Sequence, residues 1–265
     1  MSLNLEGRIA LVTGASRGIG FAVASALHAQ GARVAGLARD AEGLAKAAAE
    51  LGADENSFLS LSADVTDTGS VAAAVARVHE WGGGLNILVN NAGPQLMPSA
   101  LADTATDVLR DYLDVKLLGF HRVAAAALPL ISEDGTGRVI NVAGQTAATF
   151  VPNAGVTGIT NAAVLAFSKY LAAEAAPRNI LVNAISPGMT LTEGWLGKHD
   201  AMAAAQNKTA DEVRAGMVAG AGIKIGRWAQ PEEIAKAVVF LASDLSSYMS
   251  GGLVEVDGGL SKSIV

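Results

Sequence analysis

The sequence predicts an α/β protein, a doubly wound three-layer sandwich with a mostly parallel sheet of seven strands. Short β-branched runs alternate with Ala-rich helical stretches along all 265 residues, and this alternation is typical of βαβ units. Hydrophobic residues make up 51% of the chain and charged residues 17%, which suits a core covered by helices on both faces of a sheet. No Pro- or Ser-rich linker interrupts the series, so residues 1–265 are expected to form a single domain.

The strands are expected in seven short segments, and helices are expected between them. In chain order the strand segments read RIALVT, RVAGLA, FLSLSA, NILVN, RVINVA, ILVNAIS and GLVEVDGG. The predicted helices lie at residues 18–30, 40–51, 67–81, 104–131, 154–175 and 231–243. The last one begins with Pro231 and two glutamates, which suit the first turn of a helix. Residues 191–228 look helical and contain no strand, so we expect them to form a substrate loop or lid.

Composition and charge exclude several classes of function. The formal net charge is -6 and no cluster of Lys and Arg occurs, which argues against a nucleic-acid partner. The chain contains no Cys, so disulfides, thiolate metal sites and a Cys nucleophile are excluded, and no other metal-ligand spacing is present. The N-terminus does not resemble a signal peptide, and the apolar runs are too short to cross a bilayer. A cytoplasmic protein without a membrane partner is therefore expected.

A glycine-rich loop predicts a phosphate-binding site after the first strand. Residues 13–20 read TGASRGIG and open the first predicted helix. Gly14, Gly18 and Gly20 allow a tight turn, close approach of the backbone to a pyrophosphate, and packing of the helix on the sheet. The helix N-terminus supplies free N–H groups. A bare strand-to-helix turn remains the alternative when this pattern is taken alone.

Further motifs follow in a fixed order, and together they resemble the short-chain dehydrogenase/reductase family. They are Asp64-Val65 after the third strand, NNAG at 90–93, SPGMTLT at 186–192, FLAS near residue 242, and VDGG at 256–259. The resemblance covers about residues 5–259 and implies a Rossmann-type fold, a nicotinamide cofactor, a small-molecule substrate and a homo-oligomer, either a tetramer or a dimer. It also implies a set of cofactor-binding residues: Gly14, Ser16, Arg17, Gly18, Ile19, Gly20, Arg39, Asp64, Val65, Asn91, Ala92, Gly93, Pro187, Gly188 and Thr192.

Charge at the end of the second strand favours NADP(H), with NAD as the less favoured alternative. The segment reads GLARD, with Ala38 where an NAD-type carboxylate would fall and Arg39 directly after it. Arg17 adds a second cation within the glycine loop, and a guanidinium can meet a phosphate through two parallel hydrogen bonds. The alternative is that both arginines are solvated surface residues.

The resemblance fails at the residues that carry the family's chemistry. Members of the family use a Tyr as acid, a Lys four residues later, a Ser at the preceding strand end and an Asn in an earlier helix. Alignment places Thr157, Asn161, Gly144 and Lys116 at these four positions, and residues 139–168 contain no titratable side chain. Thr is a far weaker acid than a phenol of pKa about 10. Since positioned acid–base groups contribute about 10²- to 10⁴-fold in rate, the usual mechanism is expected to be crippled.

Lys116 is the candidate for a replacement acid. The Asn and Lys positions are exchanged, so an ammonium would reach the site from the other helix. Among apolar side chains and without a carboxylate partner, its pKa would be lowered and it could donate a proton near neutrality. A solvated helix residue is the alternative. Tyr112 and Lys116 also form a YxxxK pattern, which we interpret as accidental because it lies on the wrong helix.

The histidines offer one further candidate acid. His199 lies in the predicted lid and could supply a proton. His28 and His79 lie near predicted helix ends and are expected to be solvated, whereas His121 is expected to belong to a packed helix.

Three functions remain open from the sequence. The first is an NADP(H)-dependent oxidoreductase acting on a carbonyl, alcohol or activated alkene, with the proton supplied by Lys116, a lid residue or a water relay past Thr157. The second is a redox-inactive NADP(H)-binding protein with a regulatory or assembly role. The third is a non-redox isomerase on the same scaffold, for which no residue gives specific support.

Overall fold

A sheet of seven strands forms the centre of the protein. The computed structural model describes residues 3, 5–94 and 99–261. The strand order is β3-β2-β1-β4-β5-β6-β7, and all neighbouring strands pair in parallel. The strands are β1 (Ile9–Thr13), β2 (Arg33–Ala38), β3 (Phe58–Ser62), β4 (Ile87–Asn90), β5 (Arg138–Val142), β6 (Leu181–Pro187) and β7 (Leu253–Val256). The predicted doubly wound α/β fold is confirmed.

Helices cover both faces of this sheet. They are α1 (Gly18–Ala29), α2 (Ala41–Leu51), α3 (Thr68–Gly82), α4 (Thr106–Leu113), α5 (Gly119–Ala127), α6 (Gly155–Ala175), α7 (Glu193–Gln206), α8 (Ala210–Ala221) and α9 (Pro231–Ala242). Successive residues of β1 enter opposite cores, since Ala10 and Val12 pack with α1 and α9 while Leu11 packs with α3 and α5. Burial on both faces explains why the strands are apolar without alternation. None of the helices within the described ranges is long and apolar enough to cross a membrane.

The strand order reverses at β1, which lies between β2 and β4. The chain adds β2 and β3 on one side of β1 and then crosses over to add β4 on the other side, so a crevice opens beyond the carboxyl ends of these strands. The loops after β1 and β4 carry the glycine-rich segment and the NNAG segment. The fold therefore brings both predicted cofactor motifs to one crevice.

The helix predicted over residues 104–131 is present from Thr106 to Leu130, but it is not a regular α-helix. The segment divides into α4, a π-helical turn at Asp114–Leu118, α5 and a 3-10 turn at Leu128–Leu130. Pro129 accounts for the end of α5, because proline lacks the N–H that an α-helix needs. A π turn holds one residue more than an α turn, so it changes the direction of the side chains within it. Lys116 is at the centre of this turn.

Residues 191–228 contain α7 and α8, as the sequence predicted, and both ends of the segment are held together. Thr190 forms a parallel bridge with Ala229, and Leu191 N donates to Ala229 O at 2.8 Å. Helix α8 begins with a capping box in which the side chains of Thr209 and Glu212 bond each other's backbone N–H groups. The function of the segment as a lid stays a prediction.

Candidate active site

A cleft of about 570 Å³ lies beyond the carboxyl ends of β1, β2, β3 and β4. Its walls include every predicted cofactor-binding residue except Pro187 and Gly188. Eight further wall residues were not among the predicted cofactor-binding residues, and most of them lie next to a predicted one in the chain. These are Leu37, Ala38, Asp40, Ala63, Pro94, Val115, Glu193 and Gly194.

The glycine loop has the geometry that a pyrophosphate requires. Gly14 and Gly18 have φ of 70° and 57°, in the left-handed region that favours glycine. A Cβ on Gly20 would lie 2.0 Å from Gly14 O, so only glycine allows this turn to close. No side chain caps the first N–H groups of α1, and its first turn contains no acidic residue. A phosphate fits there, because such N–H groups and the helix dipole attract anions.

Thr13 joins the glycine loop to the NNAG segment. Its hydroxyl accepts hydrogen bonds from the backbone N–H groups of Asn91, at 2.9 Å, and Ala92, at 3.0 Å. The Asn91 side chain donates to Thr13 O at 3.0 Å. Two adjacent walls of the cleft are therefore held at a fixed spacing. The sequence analysis included Thr13 at the start of the TGASRGIG segment but gave it no role.

A carboxylate and two guanidinium groups line the cleft, namely Asp64, Arg39 and Arg17. Asp64 Oδ1 accepts hydrogen bonds from the backbone N–H and the hydroxyl of Thr66, which hold the pKa of the carboxyl below its ordinary value. Arg39 Nη1 lies 4.0 Å from Asp64 Oδ2, and its side chain is 74% exposed. Arg17 is also exposed and lines the same cleft. An exposed guanidinium contributes little through such a long contact and can turn toward a bound phosphate.

One part of the SPGMTLT segment lines the cleft, and another part packs behind the cleft wall. Thr192 faces the glycine loop, since a Cβ on Gly18 would lie 3.3 Å from Thr192 Cγ2. Gly188 lies outside the cleft walls, and its N–H donates to Val256 O at 2.9 Å. A Cβ on Gly188 would lie 2.6 Å from Asp257 Cα. Gly188 therefore allows the VDGG segment to pack closely behind the wall.

Lys116 is buried at the carboxyl ends of β4 and β5. It is 8% exposed, and its Nζ donates to Ala143 O at 2.8 Å. A Cβ on Gly93 would lie 3.7 Å from Lys116 Cδ, so the lysine stem packs directly behind the cleft wall, while its neighbour Val115 is part of the wall. Burial lowers the pKa of Lys116 to about 8. This direction agrees with the one expected from the sequence, and Lys116 is buried and not a solvated helix residue.

Gly144 and Asn161 meet next to this lysine. Gly144 follows Ala143, and a Cβ at position 144 would lie 2.7 Å from Asn161 Nδ2. Asn161 Nδ2 donates to Thr146 Oγ1 at 2.8 Å. Lys116 and Asn161 therefore reach the same backbone segment from two different helices. Thr146 was missed by the sequence analysis, because no family motif includes this position.

The Thr157 hydroxyl is not oriented to act as an acid. Its Oγ1 donates to Ala154 O at 2.8 Å, within the first turn of α6. The hydroxyl hydrogen is thus engaged by the backbone, and only the oxygen lone pairs remain for a ligand. This geometry weakens the expected water relay past Thr157.

His199 does not lie in the cleft wall, contrary to its candidacy as an acid. It is 0% exposed, and neither ring nitrogen has a hydrogen-bond partner within the described part of the chain. Its ring lies 5.7 Å from the Trp195 ring and 4.7 Å from the Trp228 ring. Burial lowers the pKa of His199, so it is a neutral packing residue near pH 7.

The other titratable side chains on these helices fall outside the cleft wall. Tyr112 is buried, and burial raises its pKa to about 12. His121 was expected in a packed position but is exposed on α5, where its ring meets only the edge of Phe167 among the described rings. His79 is exposed and His28 half-buried. Within the described ranges, no three His, Asp or Glu side chains come together as a metal site would require.

Known proteins share this fold and sequence over nearly the whole chain. The family model described as enoyl-(acyl carrier protein) reductase matches residues 14–261. The chain is 37% identical to the 3-oxoacyl-(acyl-carrier-protein) reductase FabG of Vibrio harveyi, over 97% of this chain and 99% of the relative. It is also 37% identical to D-threitol dehydrogenase of Mycolicibacterium smegmatis, over 96% of this chain and 93% of the relative.

Two solved structures are similar over their full lengths. L-Sorbose reductase from Gluconobacter frateurii, complexed with NADPH and L-sorbose, is 31% identical, with a TM-score of 0.92 and 100% of both chains covered. An NADPH-bound short chain oxidoreductase from Pseudomonas aeruginosa PAO1, which contains an atypical catalytic center, is 32% identical, with a TM-score of 0.88 and 97% of both chains covered. This protein therefore belongs to the short-chain dehydrogenase/reductase family of oxidoreductases.

Proposed function

We propose that this protein reduces a small carbonyl compound with NADPH, or oxidises the corresponding alcohol with NADP⁺, and that Lys116 supplies or takes up the proton. The observation that carries the proposal is the buried Lys116 ammonium beside Gly93 and Ala143. It lies at the crevice where cofactors bind in this fold class. Lys116 is thus a titratable side chain at one of the four positions where alignment finds the family's usual catalytic residues replaced.

The walls of the cleft suit NADP(H). Bound there, this cofactor would supply the hydride. The N–H groups at the start of α1 would hold its pyrophosphate, and Arg17 and Arg39 would hold the 2′-phosphate. Two similar structures were solved with NADPH, which supports the same choice here. The Asp64 carboxylate and the backbone of Val65 would hold the adenine.

The protonation state of Lys116 suits the acid of a reduction. With a pKa of about 8, Nζ is mostly protonated at neutral pH and still gives up its proton readily. Ala143 O accepts one of its three N–H groups, which leaves two to point at other oxygens. The proton passes from Nζ to the substrate oxygen, and the lysine regains a proton from solvent. In alcohol oxidation the neutral amine takes the proton in the reverse direction.

The second candidate is a redox-inactive protein that binds NADP(H). Two observations favour it: Gly144 has no donor, and the Thr157 hydroxyl is bonded to Ala154 O. This candidate predicts tight binding without turnover. Neither observation supports the isomerase alternative specifically.

The decisive experiment follows NADPH consumption with a panel of uncharged ketones and aldehydes. Lys116→Met is expected to lower kcat by about 10²- to 10⁴-fold, because it replaces a positioned acid by an apolar side chain of similar length. NADPH affinity should be retained. Lys46→Met is the matched control, since Lys46 is an exposed residue of α2. Unchanged turnover in Lys116→Met would exclude Lys116 as the acid, and tight binding with no turnover in the wild type would favour the redox-inactive candidate.

A further inference from the structure

Reduction of a carbonyl builds negative charge on its oxygen, and donors aimed at that oxygen stabilise the transition state. The residues beyond the carboxyl end of β5 differ in what they can donate. Gly144 has no side chain, and the Thr157 hydroxyl already donates to Ala154 O. A side-chain donor to act beside Lys116 must therefore come from another residue.

Thr146 offers such a donor. It is half-buried in the 3-10 turn Gln145–Ala147, directly after Gly144. Its Oγ1 accepts the hydrogen bond from Asn161 Nδ2 at 2.8 Å. A hydroxyl has one hydrogen and two acceptor lone pairs. Accepting from Asn161 occupies a lone pair and leaves the Thr146 hydrogen for another oxygen.

The missing side chain at position 144 is what allows this contact. A Cβ on Gly144 would lie 2.7 Å from Asn161 Nδ2, closer than a carbon and a nitrogen can pack. The φ of Gly144 is 161°, an extended conformation open to any residue, so space and not backbone strain requires glycine. Gly144 and Asn161 are therefore coupled. Only glycine at position 144 leaves room for the Asn161 amide to pass over it and reach Thr146.

Asn161 carries a second sign that the arrangement is completed by a ligand. The residue is 5% exposed, and its Oδ1 is buried without a hydrogen-bond partner among the described residues. Leaving a buried acceptor unpaired has a free-energy cost for the folded state. A bound molecule with a hydroxyl or N–H group would offset that cost.

We propose that Thr146 is a catalytic residue that donates a hydrogen bond to the substrate carbonyl oxygen, and that Asn161 is a positioning residue that orients its hydroxyl. The inference rests on the proposed function and adds a second donor for the same oxygen. The transferred proton still comes from Lys116, so the Thr146 O–H bond does not break. The donor hydroxyl is thereby placed two positions beyond the glycine that replaced the family's serine.

Ketone binding to the complex with NADP⁺ tests this hydrogen bond without turnover, because the oxidised cofactor has no hydride to give. The probe is cyclohexanone isotopically labelled at the carbonyl carbon, an uncharged ketone that suits a segment without titratable side chains. A hydrogen bond to the oxygen moves the carbonyl resonance downfield in NMR spectra. We expect the full shift in the wild type and in Thr146→Ser, and a smaller one in Thr146→Val.

Two further variants complete the binding experiment. Thr160→Val is the matched control and should keep the full shift, because it removes another buried hydroxyl that has no partner in the described residues. Asn161→Asp tests the positioning, since a carboxylate accepts but cannot donate and turns the Thr146 hydrogen toward itself. Its shift should fall to that of Thr146→Val while NADP⁺ still binds. A wild-type resonance in Thr146→Val or Asn161→Asp overturns the proposal, as does a wild-type complex that binds no ketone.

Kinetics separate this inference from the proposed function. With any ketone that the wild type reduces, Thr146→Val is expected to lower kcat by about 10²- to 10³-fold, and Thr146→Ser to keep most of it. If Lys116→Met lowers turnover but Thr146→Val leaves it unchanged, this inference is rejected and the proposed function stands. A resonance shift that depends on Thr146, without any NADPH consumption, rejects the proposed function and keeps the hydrogen-bond assignment.

Discussion

The Lys116 ammonium is enclosed by protein, and the hydrogen bond that holds it goes to a neutral carbonyl oxygen, Ala143 O. No carboxylate forms an ion pair with it within the described part of the chain. Burying a charge without a counter-charge destabilises the folded state, and the lowered pKa expresses that cost. A residue that serves as an acid at this position therefore weakens the fold that holds it.

Lys116→Met should consequently stabilise the protein while removing its activity. The pKa falls from 10.5 to about 8 on folding, which corresponds to about 3 kcal/mol against the charged form. Below pH 8 both states are protonated and the whole cost is present; it disappears as the pH rises from about 8 toward 10.5. We expect the free energy of unfolding of Lys116→Met to exceed that of the wild type by about 1–3 kcal/mol at pH 7. Urea unfolding against pH measures this, and a less stable variant at pH 7 would contradict it.

At the scale of secondary-structure elements, two irregular features shape the site: a π turn and an aromatic cluster. The π turn Asp114–Leu118 directs Lys116 toward β5 from the middle of a segment that reads as one helix. The cluster of Trp195, His199 and Trp228 joins α7 to the segment before α9. Because Thr192, Glu193 and Gly194 at the start of α7 line the cleft, packing in this cluster controls the position of a cleft wall.

The stability of the α7 region should depend on pH through His199. Burial and Arg214 of α8 lower its pKa, while Asp200 acts in the opposite direction. On its own helix, Lys198 lies over the Trp195 ring. A lowered pKa means that the unfolded state binds the proton first, so stability is present above the ordinary value of 6.5 and is lost on acidification. Between about pH 7.5 and 5.5, the wild type should lose more thermal stability than His199→Phe, which keeps an aromatic ring. Equal losses in differential scanning calorimetry would count against this role.

At the scale of the whole molecule, the reversal of strand order at β1 decides where the site lies. The crevice between the loops after β1 and β4 gathers residues from six segments of the chain that are distant in sequence. Both cores underneath it are closed by helices, so the walls are held by the sheet and not by the loops alone. The expected homo-oligomer stays a prediction.

Cofactor binding should stabilise the whole fold and discriminate NADPH from NADH. A ligand at about 100 times its Kd stabilises the folded state by about 2.7 kcal/mol, which raises Tm by several degrees for a chain of this length. At equal concentrations NADPH should raise Tm more than NADH. Arg39→Ala should remove most of that difference, whereas Arg77→Ala, an exposed residue of α3 outside the cleft wall, should preserve it. Thermal-shift assays measure both, and equal shifts with the two cofactors in the wild type would contradict the preference.

Much of the molecule follows from local patterns in the chain. The strand and helix alternation determined the fold class, because short β-branched runs and Ala-rich stretches carry the local patterns of strands and helices. The glycine loop and the later motifs determined most of the cleft wall, since each lies at the end of a strand that the same pattern locates. The sequence also predicts the loss of the usual acid and base, because alignment places Gly144 and Thr157 at two of those positions.

The surroundings of the proposed acid could be predicted only in part, because its contacts join distant residues. The sequence singled out Lys116, but its burial and its bond to Ala143, 27 positions away, depend on a π turn that no periodicity reveals. The contact of Asn161 with Thr146 requires α6 to cross the turn after β5 within 3 Å, and His199 looked like an available acid until Trp195 and Trp228 enclosed it. The sequence by itself determined the fold class and the candidate groups; the tertiary structure decided which of them meet, because burial and hydrogen-bond direction depend on how separate elements pack.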